Sequence, residues 1–190
     1  MNNAYHSQRD NVILPSSTCN TTACVNALAA INIQPAWHID GQQDEDILTR
    51  YLTTEDAKRY LESVRPDLKG LQPRLFSECL EWAVNILQGA TICKRKLITY
   101  KEMIDLIKQD DCVIAIGGLF TGSGGHYVCA VNIIDIPGGT SKIVCIDSWG
   151  DWSTGYKDKD GYMVKYNPEE FRRLTWGKYN THPALIFKSI

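Results

Sequence analysis

The sequence predicts an α+β fold, helices first and an antiparallel sheet after, on three observations. Up to about residue 108 apolar residues recur at helical spacing; from Cys112 onward they fall in short runs rich in Val, Ile and Tyr; and Pro137-Gly138-Gly139 marks a tight hairpin between two of those runs. A chain of 190 residues is long enough to bury its own core. The expectation is a single domain, 1–190, with a helical insertion at about 40–97.

The first element is a helix over Cys19–Ile31. Cys24, Val25, Leu28 and Ile31 share helical spacing, and alanines fill positions that must approach neighbours closely. Thr18 stands where a side-chain cap would satisfy free amides, so Cys19 falls at the helix's positive end. A polar stretch with few strand signals follows Pro35. Helices are then expected at about Thr54–Val64, Arg74–Leu87 and Tyr100–Lys108, with Pro66–Pro73 as a loop around Gly70. Thr99 and Glu102 have capping-box spacing, with Met103, Ile104 and Ile107 as the buried stripe.

Strands are expected at Cys112–Gly118, His126–Ile136 and Lys142–Asp147, with shorter ones near Tyr162–Tyr166 and Ala184–Lys188 around a small helix begun by Asn167 and Pro168. The hairpin makes the second and third strands neighbours, which places His126 and Asp147 in one sheet.

A hydrophobic content of 44% with 22% charged residues is that of an ordinary globular protein and argues against disorder. A net charge of −2 supplies no cationic excess for phosphates, so nucleic acid is not an expected partner. The apolar runs are far shorter than the roughly 20 residues that span a bilayer, so no integral membrane segment is expected. The polar start, Met1–Asn11, lacks the pattern of a secretory signal, which implies a cytoplasmic location.

Seven cysteines is an odd number, and all but Cys19 lie in apolar or helical stretches, the setting of reduced, buried thiols. No spacing suits a zinc site, and neither a metal nor a cofactor is expected. Asp158-Lys159-Asp160-Gly161 has the centre of a calcium loop, but Tyr156 and Asn167 stand where its first and last ligands belong, so a turn is expected.

Catalytic chemistry points to three residues. Cys19 follows a polar loop, Pro15-Ser16-Ser17-Thr18, and opens a helix, a setting that favours an exposed thiolate nucleophile. His126 follows a glycine-rich run, Gly117, Gly118 and Gly122–Gly125, which lets the backbone enter a cleft and leaves room for substrate. Among the four histidines it has the best context for a base. Asp147 is an acid in an apolar strand end; an imidazole on the neighbouring strand would satisfy it and fix the histidine tautomer. Asp151 and Asn132 are rivals for that role. Gln8 can be an amide donor to an oxyanion or an ordinary surface glutamine. Trp149, Trp152, Tyr156 and Tyr162 can form an aromatic recognition surface or belong to the core.

Gln8, Cys19-Asn20-Thr21-Thr22, Gly124-Gly125-His126-Tyr127-Val128 and Ile146-Asp147-Ser148-Trp149-Gly150 together resemble the papain-like cysteine peptidases of the bacteriocin-processing, double-glycine type, in their free-standing phage and bacterial branch. The resemblance implies a papain-like fold, a central helix carrying the nucleophile Cys19, base His126, orienting acid Asp147 and oxyanion donor Gln8. The chain departs from the family where Asn20-Thr21-Thr22 replaces Gly-Pro-Thr and where Ser148 replaces a proline. The function so implied is a cysteine peptidase or amidase, as a phage lysis enzyme (endolysin) acting on the stem peptides of peptidoglycan and released through a separate pore. The alternatives are a cytosolic processing protease, a catalytically degenerate binding module, and an acyltransferase using the same thiol.

Overall fold

A computed structural model describes residues 5–121 and 124–189. Residues 1–4 of the polar start, Gly122 and Ser123 of the glycine run, and Ile190 lie outside the described residues. The fold is α+β, with six α-helices and one antiparallel sheet of six strands among the described residues.

Helix α1 (Cys19–Ala30) is almost wholly buried, from Asn20 through Leu28; its apolar residues join the core, and its polar Asn20, Thr21, Thr22 and Asn26 are each hydrogen-bonded. It packs on the sheet and on α2 (Asp44–Tyr51) and α4 (Ser77–Gln88), while α3 (Glu55–Val64) joins α4 at the outer wall. The sheet runs in the order β1 (Cys93–Ile98), β6 (His182–Lys188), β2 (Cys112–Thr121), β3 (Gly124–Ile134), β4 (Lys142–Ile146), β5 (Val164–Tyr166). Alternation divides the core: Val113, Ala115 and Cys129 face α1, whereas Ile114, Ile116, Val128 and Ala130 face the layer of α5 (Tyr100–Ile107) and α6 (Pro168–Thr175).

The expected helices at α1, α3, α4 and α5 are present, as are the Thr99–Glu102 capping box and the Asn167 cap of α6. β3 and β4 pair antiparallel, Cys129 opposite Ile146, as the hairpin requires.

Two elements differ from expectation. The polar stretch after Pro35 contains α2, whose first turn buries Asp44, Glu45 and Asp46. These acids belong at a helix N-terminus and each has a partner: Asp46 accepts the Val12 and Ile13 amides, Asp44 meets His38, and Glu45 meets His6. The helical stretch expected to reach residue 97 ends earlier, because Cys93–Ile98 is the edge strand β1. Its lysines and arginine suit an edge, where charge discourages pairing with another chain.

Candidate active site

Cys19 occupies the first position of α1 and is half-buried; the other six cysteines are buried. Thr18 does not cap the helix as expected. Its hydroxyl is bonded to the Asn11 side chain at 2.8 Å, and its carbonyl serves Thr21 and Thr22. The Thr21 amide is taken by Asn20 Oδ1 at 2.9 Å, and no cap occupies the amides of Cys19 and Asn20. The His126 imidazole and the backbone N–H groups of Asn20 and Tyr127 surround the thiol and favour its charged form. Burial alone would raise its pKa, but the hydrogen bond and charge of His126, with those two amides, outweigh burial and lower it. Five residues on, burial without a partner drives the Cys24 thiol far the other way.

His126 is the third residue of β3, 3% exposed, and its Nε2 lies 2.7 Å from Asp147 Oδ1. Nε2 is thus engaged, leaving Nδ1 for the thiol. Desolvation opposes the imidazolium, yet Asp147 and Cys19 overcome it and raise the His126 pKa to about 9. A raised histidine beside a lowered cysteine is the signature of a thiolate–imidazolium pair.

Asp147 is fully buried just past the end of β4, and every donor around it is accounted for. Oδ1 also accepts the Trp149 amide at 2.9 Å, while Oδ2 accepts the Tyr166 hydroxyl at 2.9 Å and faces the Tyr156 hydroxyl at 3.4 Å. Burial and the Asp147 charge push both phenols far above their ordinary range, so they remain donors. The Asp147 backbone is held as tightly, its N–H donating to the Gly161 carbonyl at 2.9 Å. A Cβ on Gly161 would lie 1.7 Å from the Asp147 carbonyl oxygen, so only glycine fits.

Gln8 is not a surface residue; it is 3% exposed. Its Nε2 donates to the Pro15 carbonyl at 2.9 Å, in the loop leading to Cys19, and its Oε1 accepts from Ser148 Oγ at 2.7 Å. Gln8 belongs to an N-terminal segment zipped onto the strand end that carries the acid. Tyr5 donates to the Asp147 carbonyl, Ser7 and the Gln8 amide to that of Ser148, and Arg9 Nε to that of Trp149.

The structure thus brings Cys19, His126 and Asp147 together and places Gln8 beside their approach loop. The rivals fall elsewhere: Asp151 caps a short turn through the Ser153 amide, and Asn132 is exposed on β3. His6 pairs with Glu45, and His38 and His182 are hydrogen-bonded to Asp44 and the Pro183 carbonyl.

The glycine run needs one correction. At Gly117 and Gly118 the space of the missing side chains is filled by the rings of Tyr127 and Phe120, 3.0 and 2.6 Å from an added Cβ; it is not open to substrate. Space is open at Gly125. The aromatic surface also closes up in part. Trp149 lies under the Arg9 guanidinium at 3.9 Å, and Trp152 packs with Phe120 and Tyr166. The Asp158–Gly161 stretch forms successive side-chain turns on Asp158 and Asp160.

Sequence reasoning missed Tyr166 as a partner of Asp147, and it named Tyr156 and Ser148 without their roles at Asp147 and Gln8. A buried carboxylate has two oxygens, and one imidazole satisfies only one. That shortfall points to hydroxyls on the next strand, where Tyr166 stands. No family model matches the chain, and a search of curated proteins gives no match. No helix among the described residues is long and apolar enough to cross a membrane.

Proposed function

We propose that this chain is a papain-like cysteine peptidase or amidase. One observation carries the reading: a half-buried thiol with a lowered pKa, at a helix start with free amides, lies against a histidine whose far nitrogen is 2.7 Å from a fully buried aspartate. In this reaction the Cys19 thiolate attacks a substrate carbonyl carbon. The oxyanion that forms is met by the Cys19 N–H, for which no backbone acceptor is found among the described residues, and by Gln8. His126 Nδ1–H protonates the leaving amine, giving an acyl-thioester. Water then attacks that ester with neutral His126 as base, and Asp147 holds the ring through both proton transfers.

The substrate proposed is the peptide cross-link of peptidoglycan, in a lysis enzyme, on the strength of the resemblance to the free-standing phage branch. The helical segment supplies one wall of the binding region. That segment holds a groove of about 500 Å³ lined by Leu14, Leu61, Leu71 and Pro73, and Arg74 reaches from it to the Ser17 carbonyl, two residues before Cys19. Net charge −2 gives no general attraction to an anionic wall, so the proposed binding rests on local contacts.

The test is incubation of the protein and its Cys19→Ala variant with purified sacculi from several bacteria and with denatured casein. New amino groups from sacculi with the wild type alone support the lysis reading. Casein cleavage alone supports a processing protease. Activity in neither, or full activity in Cys19→Ala, overturns the enzyme proposed here.

A further inference from the structure

Ser148 stands where the resembling family has proline, and its side chain is 1% exposed. Its hydroxyl donates to Gln8 Oε1 at 2.7 Å, and its carbonyl accepts the Gln8 backbone N–H at 3.1 Å. The opposite edge of the same amide donates to the Pro15 carbonyl at 2.9 Å. A carbonyl can only accept, so the nitrogen of Gln8 must face Pro15 and the oxygen must face Ser148. A primary amide has two N–H bonds. One is used on Pro15, and among the described residues no acceptor takes the second.

We infer that Ser148 is a positioning residue that locks the Gln8 amide with its second N–H aimed at the oxyanion of the reaction. The inference rests on the cysteine-hydrolase reading and gives Ser148 a role in transition-state stabilisation that acts only through Gln8. A proline here has no hydroxyl, so the lock belongs to this chain's departure from the family pattern. Without the hydroxyl, the Gln8 oxygen loses its fixed donor and the amide can turn about its terminal bond. Thiolate formation at Cys19 does not use Gln8 and is left as it was.

Two reagents separate these effects. Iodoacetamide alkylates the thiolate by displacing iodide, with no tetrahedral intermediate. p-Nitrophenyl acetate acylates it through one: the thiolate adds to the ester carbonyl, the oxyanion collapses, and p-nitrophenolate leaves the S-acetyl enzyme. The experiment compares both rates in the wild type, Gln8→Ala, Ser148→Ala, Ser148→Thr and the Gln8→Ala/Ser148→Ala double variant. Gln8→Ala is expected to slow acylation about 10²-fold and Ser148→Ala about tenfold. The double variant is expected to match Gln8→Ala within about twofold, because the serine has nothing left to position. Ser148→Thr keeps the hydroxyl and returns acylation toward wild type, and alkylation stays within about twofold throughout.

Acylation unchanged in Ser148→Ala, equal losses in both reactions, or additive losses in the double variant would each overturn the role of Ser148. Failure of the underlying reading looks different: the wild type itself then shows no Cys19-dependent acylation, or Gln8→Ala has no effect.

Discussion

Two of the histidine–carboxylate pairs among the described residues, each with a buried carboxylate, differ in what surrounds them. His126 and Asp147 meet at 2.7 Å with both side chains almost fully buried, and every Asp147 oxygen has donors. His6 and Glu45 meet at 3.0 Å, but the histidine is a quarter exposed and the contact is misaligned, leaving Glu45 Oε2 without a well-formed hydrogen bond. Asn11, turned to satisfy its neighbours, donates to the other oxygen of Glu45 at 3.0 Å. Both histidines are raised: burial opposes the charged form in each, and the carboxylates overcome it. A shifted histidine is therefore no guide to chemistry by itself. Only the first pair faces a thiol at a helix start, whereas the second ties the N-terminal segment to α2.

The largest expected contrast is at the thiol. Cys19→Ala should remove all hydrolysis while shifting the thermal midpoint by no more than about 2 °C, read by calorimetry. Cys24→Ala, on the same helix, should leave activity and instead cost about 1–2 kcal/mol through the cavity, read by urea unfolding. Next come the carboxylates. Asp147→Ala should lower kcat by about 10³-fold or more. It should also destabilise the fold by about 3 kcal/mol, because Tyr166, the Trp149 amide and His126 lose their acceptor. Glu45→Ala should cost about 1 kcal/mol in urea unfolding and leave iodoacetamide labelling of Cys19 within about twofold.

Protons sharpen the comparison further. A histidine raised on folding contributes stability that is complete below its unfolded value of 6.5 and is lost as pH rises through its folded pKa. A cysteine lowered on folding contributes with the opposite slope, complete above its ordinary unfolded value and lost as pH falls through its folded pKa. Within the catalytic pair the proton His126 gains is the one Cys19 gives up, so their slopes offset wherever both shifts act. In Cys19→Ser no such loss occurs, and stability should fall with rising pH from 6.5 more steeply than in the wild type. His6→Ala should flatten the wild-type dependence over the start of that range, the smallest effect of the series, measured as urea midpoints against pH.

How far the sequence disclosed this arrangement depended on whether a signal was local. The helix at Cys19 and the β3–β4 hairpin rest on spacing and turn residues, so they could be read directly and they set Cys19, His126 and Asp147 in compatible places. Helix α2 was hidden because its first turn is acidic, and only tertiary partners such as His6 and the Val12 amide make those charges buriable. Strand β1 was hidden because an edge strand carries the charge of a solvent face. Gln8 was ambiguous for a similar reason: its burial depends on Ser148, 140 residues away in sequence. The need for glycine at position 161 arises only from the approach of the Asp147 backbone.

The measurement that bears most directly on the central claim is the rate of Cys19 alkylation by iodoacetamide as a function of pH, in the wild type and in His126→Ala. A thiolate held by His126 predicts rapid labelling of Cys19 alone at pH 6–7, well below the free-thiol value of about 8.5, and a shift of that profile to higher pH in the variant. A wild-type profile that rises only near pH 8.5, unchanged when His126 is removed, would contradict the account.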